Sequence, residues 1–167
     1  MLLELESLFN TPGLAVPFAF ALPEQPAELE GAGLPLAERP QIEGVLRNRV
    51  GIVEMEGTAT VALSALCDRC AAPIAPVLRV PLRHTLVRSL NDETNDDFVL
   101  AEQPRWSPDA LIWEDIVLAM PPKLLCRENC RGLCPRCGQN RNEAICQCPQ
   151  TGDPRLAALL QWRNDEI

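Results

Sequence analysis

The sequence predicts an α+β, mainly β fold: an antiparallel meander or partly open barrel with one packing helix and a C-terminal zinc-ribbon-like module. Three observations carry this. Apolar and polar residues alternate between residues 41 and 86, a single well-formed helix signal stands at residues 108–120, and six of the eight cysteines fall between Cys126 and Cys148, with Cys67 and Cys70 as a separate pair upstream. At 167 residues and 47% hydrophobic, the chain has material for one ordinary core. The expected division is a lead-in and β core over residues 1–122 and a cysteine-rich module over residues 123–167, packed as one unit.

Residues 1–40 are rich in Pro, Glu and Ala without a sustained period of 2 or 3.6, so an extended lead-in covering part of the sheet is expected there. Ile42 to Val50 reads as the first strand, with Gly51 as its turn. Thr58 to Ala65 alternates small polar with apolar residues and would deliver its end at Cys67. The clearest strand is Leu78 to Leu86: Leu78, Val80, Leu82 and Leu86 share one face, and Arg79, Arg83 and Thr85 the other. Pro81 has no N–H to give a ladder, which marks an edge or bulged strand. Cys67 and Cys70 then sit at a strand-to-strand connection. Asn91 to Asp97 is a solvated acidic loop. Ser107 as N-cap and Pro108 at the first position open a helix to about Met120, whose apolar face is Leu111, Ile112, Ile116 and Met120, and Pro121-Pro122 ends it. A second helix is expected from Pro154 to about Arg163, capped by Asp153 and covering the metal module with Leu156, Leu159 and Leu160.

No apolar run is long enough for a membrane helix; the nearest, Leu14 to Leu22, is broken by Pro17. The first ten residues carry Glu4 and Glu6 and no Lys or Arg, which is not the pattern of a secretory signal. Paired cysteines in the reducing compartment this implies are metal ligands more often than disulfides. The net charge of −8 is unevenly spread. Residues 1–46 hold seven Glu against Arg39 alone, whereas between Lys123 and Cys148 five basic residues face only Glu128 and Glu143.

Cys134-Pro135-Arg136-Cys137-Gly138 places two thiolates where both reach one tetrahedral ion, and the Gly lets the backbone turn back with positive φ. Cys146 and Cys148 supply two more sulfurs, which makes Cys134, Cys137, Cys146 and Cys148 a first zinc site. Cys67, Cys70, Cys126 and Cys130 form a second. Pairs kept intact divide in three ways; sequence proximity favours this division, and the main alternative groups Cys126, Cys130, Cys134 and Cys137 against Cys67, Cys70, Cys146 and Cys148. Four thiolates leave zinc no open position, so both ions would be structural.

Catalysis finds little material. His84, the only histidine, lies in line with the apolar face of its strand, there is no phosphate-binding glycine loop, and a thiol oxidoreductase would have no use for eight cysteines. Arg69, Arg127, Arg131, Arg136 and Arg141 stand among the cysteines and allow two readings: guanidinium groups offered to RNA phosphates, or balance for thiolate charge. With no Tyr, four Phe and three Trp, base stacking has few candidates, so any RNA contact is phosphate-led.

Cys67-Asp68-Arg69-Cys70, Ala119-Met120-Pro121 running into Leu125-Cys126, and Gly132-Leu133-Cys134-Pro135-Arg136-Cys137-Gly138 with Asn140, Asn142, Cys146 and Cys148 resemble the YceD family, the large ribosomal RNA subunit accumulation proteins. The likeness runs over roughly residues 41–160; Arg141 departs from it, since Leu is usual between the two Asn. The resemblance implies a cytoplasmic, non-enzymatic factor for processing or assembly of the large ribosomal subunit, with large-subunit rRNA or a pre-ribosomal particle as partner and no membrane. Some family members keep the upstream cysteine pair and lack most of the C-terminal ones, which implies that Cys67 and Cys70 serve the shared core. The acidic N-terminal stretch adds a further expectation, the shielding of a basic ribosomal protein. A zinc-stabilised module with a purely protein partner is the alternative, and a thiol redox enzyme is the third reading.

Overall fold

Alternation at residues 41–87 becomes the centre of one open sheet in the computed structural model, which describes residues 2–24, 33–89 and 98–148. In chain order the elements are β1 (Leu3–Glu4), α1 (Glu6–Asn10), β2 (Ala15–Ala21), β3 (Gln41–Arg49), β4 (Ile52–Ala62), β5 (Ala65–Leu66), β6 (Pro73–Ile74), β7 (Val77–Val87), β8 (Val99–Leu100), β9 (Arg105–Trp106) and α2 (Asp109–Ala119). The main sheet runs β2-β3-β4-β7-β8; its first four strands are antiparallel neighbours, and β8 joins β7 in parallel. Two small ladders, β1-β9 and β5-β6, stand apart. The sheet is a meander and does not close into a barrel among the described residues, with β2 and β8 as its edges.

One face of this sheet is apolar because side chains alternate: Ile42 and Leu46 of β3, Val53, Met55, Ala59 and Val61 of β4, and Val80, Leu82 and Leu86 of β7 are all buried. Arg79 and Arg83 point to the other face, opposite Thr60 and Glu56. Pro81 pairs with Thr58 on one side only, and β8 reaches no further along β7 than Leu86, so the proline lies where no second ladder asks for its N–H. Two glycines meet across the middle. Gly44 is opposite Gly57, and a Cβ on Gly44 would stand 2.6 Å from the Phe18 ring carbon and closer still to the Glu56 carbonyl oxygen. The ring fills the space the missing side chain leaves.

The lead-in is more than a cover. Ala15–Ala21 forms the edge strand β2, in register with β3 from Ala15 opposite Arg47 to Ala21 opposite Gln41. Before it, α1 buries Leu8 and Phe9 against the end of the sheet. Buried Asn48 ties these parts together: its Nδ2 donates to the Leu8 and Phe9 carbonyls at 2.6 and 3.0 Å, and its Oδ1 accepts from Gly51 N at 2.9 Å. It thus satisfies the late Phe9 carbonyl and shares the Leu8 carbonyl with the capping Thr11 N–H, which donates to it at 3.3 Å. Gly51 and Val50 both take positive φ in the two-residue turn between β3 and β4.

The expected strand at residues 58–65 is a longer one, starting at Ile52 and ending at Ala62; Ala65 already belongs to β5. Helix α2 begins one residue later than expected, with Pro108 as N-cap and the Ser107 hydroxyl 3.5 Å from Asp109 N. Its buried residues are Ile112, Trp113 and Ile116, with Trp113 as the largest side chain of the core. His84 is half-buried and its Nε2 lies 2.6 Å from Asp115 Oδ2, so β7 and α2 share a polar contact at the rim of the core. The helix expected at residues 154–163 and the acidic loop at residues 91–97 lie outside the described residues.

Candidate metal centres

Between β4 and β7 the chain makes a side trip. Strands β5 and β6 pair as Ala65 with Ile74 and Leu66 with Pro73, and the loop they hold carries Cys67 and Cys70 at its tip. Cys67 O accepts from Ala71 N and Cys67 N donates to Ala72 O, both at 2.8 Å, and Ala71 sits at φ +55°. The same wiring recurs downstream: Cys134 O accepts from Gly138 N at 2.9 Å, Cys134 N donates to Gln139 O at 2.8 Å, and Gly138 sits at φ +72°. Two Cys-x-x-Cys segments of different sequence thus fold into one local device, which turns both sulfurs to the same side.

The segment after α2 is led back to the first knuckle by a reciprocal pairing. Asp68 N donates to Leu124 O at 2.9 Å, and Leu124 N donates to the Asp68 carboxylate. Two residues on, Cys126 Sγ lies 3.7 Å from Cys70 Sγ, and Cys130 Sγ lies 3.9 Å from Cys67 Sγ. Cys67, Cys70 and Cys130 are buried and form a small apolar cluster with Ala72, Ile74 and Leu125. In the other group Cys146 Sγ is 3.3 Å from Cys134 Sγ and 3.5 Å from Cys137 Sγ. The sulfurs of Cys67, Cys70, Cys126 and Cys130 lie within 4.8 Å of one another, as do those of Cys134, Cys137, Cys146 and Cys148. The alternative division, with Cys126 and Cys130 beside Cys134 and Cys137, is not the one the chain forms.

Both donor sets have the chemistry for a tetrahedral zinc ion, and the first also has the spacing, the second being drawn closer at 3.3 and 3.5 Å. Zn–S bonds of about 2.3 Å imply sulfur–sulfur separations near 3.8 Å, close to the 3.7 and 3.9 Å of the first tetrad. All eight thiols are free, and none of these contacts is at bonding distance for a disulfide. Ionisation within each tetrad is divided. The Cys67 thiol is pulled down to about 6, first by the Cys126 backbone N–H, while desolvation and then Cys130 push Cys126 up to about 12. The Cys137 and Arg136 backbone N–H groups pull Cys134 down to about 6, and neighbouring Cys146 and Cys137 push Cys148 up to about 12. Four thiolates at this spacing repel, and a bound dication removes the conflict.

The five arginines do not share one role. Arg69 Nη1 donates to Cys130 O at 2.9 Å and to Glu128 O at 3.4 Å, and Arg127 Nη2 donates to Asn142 Oδ1 at 2.7 Å. Both therefore brace the cysteine loops. Arg131 and Arg136 are exposed and Arg141 is half-buried. Asn142, which sequence reasoning noted only inside a family motif, is the best-connected polar side chain among the described residues of the module. Its Nδ2 donates to Cys130 Sγ at 3.2 Å and to Asn140 Oδ1 at 2.8 Å, while its Oδ1 also accepts from Arg131 N at 2.8 Å. Strand pairing around the second tetrad amounts to one bridge, Leu133 with Asn140, among the described residues.

An open, mainly β sheet with a C-terminal arm joined to it through one tetrathiol cluster and carrying a second within itself is the class that fold and site define. The model of the family described as large ribosomal RNA subunit accumulation protein YceD matches residues 55–161, a span that holds all eight cysteines, and the chain belongs to that family. Among curated proteins it is 29% identical over 132 residues to an uncharacterized protein of Mycobacterium bovis, with 68% of this chain and 57% of the relative covered. Two uncharacterized proteins of Mycobacterium tuberculosis match with the same figures. The chain thus spans under two thirds of the length of these relatives. No solved structure matches. No helix among the described residues is long and apolar enough to cross a membrane.

Proposed function

We propose that this protein supports accumulation of large-subunit ribosomal RNA as a non-enzymatic cytoplasmic factor, in processing or assembly of the large subunit, and that two structural zinc ions hold its C-terminal arm. The observation that carries this reading is the family match across both tetrads. The chemistry agrees with it: a four-thiolate zinc site has no position at which to activate water.

RNA contact on this reading is offered by exposed Arg131 and Arg136 and half-buried Arg141, while Arg69 and Arg127 brace the cysteine loops. From Lys123 to Cys148 basic residues exceed acidic ones by three, and two zinc tetrathiolates would bring about −2 each. The loaded module is then near neutral, so its grip on phosphate is modest. That favours keeping a second reading, in which the acidic residues of the N-terminal stretch shield a basic ribosomal protein.

Crosslinking in growing cells tests both. Recovery of large-subunit rRNA segments on the C-terminal arm is expected, and recovery of no rRNA above background would end the first reading. In solution, binding to the crosslinked fragment should fall with salt along a shallow slope of roughly −2 for three phosphate contacts. Replacing Arg131, Arg136 and Arg141 together with Gln should flatten it.

A further inference from the structure

Three residues separate Cys130 of one tetrad from Cys134 of the other, and that short span lies against the first knuckle. Leu133 N donates to Arg69 O at 2.9 Å, and a Cβ on Gly132, which sits at φ +70°, would stand 2.8 Å from the same oxygen. The far side of the span is held by the loop between Cys137 and Cys146, where Arg141 N donates to Gly132 O at 2.9 Å. That loop carries Asn142. Its amide therefore reaches from between the ligand pairs of one cluster to a sulfur of the other, donating to Cys130 Sγ at 3.2 Å.

We propose that Asn142 is a positioning residue that couples the two sites, so that zinc bound by Cys134, Cys137, Cys146 and Cys148 raises the zinc affinity of Cys67, Cys70, Cys126 and Cys130. Closure of the second cluster, the more exposed of the two with only Cys134 buried, fixes the loop from Gly138 to Ile145, and the fixed loop aims an N–H at a thiolate that would otherwise lie buried with less compensation. Partners of this kind orient metal ligands and offset their charge. Coupling of binding free energies is reciprocal, so zinc in the buried tetrad must favour the exposed one by the same factor. Arg127 and the Arg131 N–H, both on the Asn142 Oδ1, keep the amide from turning over.

The inference rests on the two-zinc reading, and the test separates the two. Full-length protein would be titrated with zinc against a chromophoric chelator, and the distribution of zero, one and two ions per chain read by native mass spectrometry. Two ions per wild-type chain at saturation are expected; fewer would overturn the metal reading itself. Asn142→Ala should still bind two, lower the affinity of the weaker step by about tenfold to a hundredfold, and enlarge the singly loaded fraction at half saturation. Asn142→Asp keeps the acceptor oxygen for Arg127 and Arg131 N but replaces the donor to sulfur with a carboxylate oxygen, so it should lose at least as much. A second-step affinity and a singly loaded fraction unchanged from wild type in both variants would overturn the coupling alone. Cobalt in place of zinc adds a spectroscopic check: the thiolate charge-transfer band of the buried site should move in Asn142→Ala while that of the exposed site stays.

Discussion

Ala71 holds in the first knuckle the place that Gly138 holds in the second, and both take positive φ. An L-residue there costs roughly 1–2 kcal/mol in the left-handed region, partly offset by the greater freedom of glycine in the unfolded chain. Ala71 is exposed, so nothing is lost by removing its methyl group. Ala71→Gly should stabilise the zinc-loaded protein by about 0.5–1 kcal/mol, read as a shifted urea midpoint at fixed zinc. Gly44 predicts the opposite sign. Its missing side chain leaves room for Phe18, and the nearest obstacles to a Cβ include the backbone of β4, which cannot move aside cheaply. Gly44→Ala should destabilise by roughly 1–3 kcal/mol, and Phe18→Leu in the same chain should recover only part of that because the Glu56 carbonyl remains. Urea titrations of the two variants decide it.

Helix α2 is held to the sheet by few but large contacts, and Trp113 is the chief of them, 1% exposed. Trp113→Ala should cost about 3–5 kcal/mol, and because α2 hands the chain directly to Leu124 and Cys126, zinc affinity of the buried tetrad should fall with it. Paired denaturation and chelator titrations would show both losses. At this scale the sequence was unevenly legible. The helix and β7 could be read because each shows one period over enough residues, as in Leu78, Val80, Leu82 and Leu86. Trp113 escaped notice because it flanks the Ile112–Ile116 stripe and widens the buried face beyond it. The first half of β4 was hidden by Gly57 and by Glu54 and Glu56, whose outward positions break an apolar count that Val53 and Met55 support. In β2 the alternation exists as Phe18 and Phe20 against Ala19 and Ala21, but Pro17 disguised it as a lead-in. An edge strand tolerates that proline; a central one would not.

Taken whole, the molecule has a sheet core with none of the eight cysteines in its main strands and an arm whose described residues meet that core through Leu124, a few hydrogen bonds to the first knuckle and the cysteine clusters. The described part of the arm has no regular helix or strand beyond one bridge, and its apolar support is Leu124 against the main core and the small cluster of Cys67, Cys70 and Cys130 with Ala72, Ile74 and Leu125. Exhaustive chelation should therefore strip hydrogen-exchange protection from residues 124–148 and the β5-β6 loop while leaving β3, β4 and β7 protected. Uniform loss across the sheet would contradict this. The cysteine pairs were readable from spacing, but how the pairs combine was not: sequence proximity favoured one division and left another open, and only the folded chain brings Cys67 and Cys70 beside Cys126 and Cys130. The link between the groups was not readable either, because Asn142 meets Cys130 across 12 residues and Arg69 meets Cys130 across 61, and no local pattern announces such contacts.

The wide gap in the first tetrad also has a meaning in time. Cys70 and Cys126 are 56 residues apart, and β7, β8, β9 and α2 are all synthesised between them. A chain leaving its own ribosome has the residues of β2, β3, β4 and β7 while Cys67 and Cys70 still wait for Cys126 and Cys130, and the second tetrad cannot close before Cys148 has been added. Zinc bound as proposed would act as a receipt for translation: a product cut short before Cys126 has two unmatched thiols, and only one read through Cys148 can bring all eight sulfurs together.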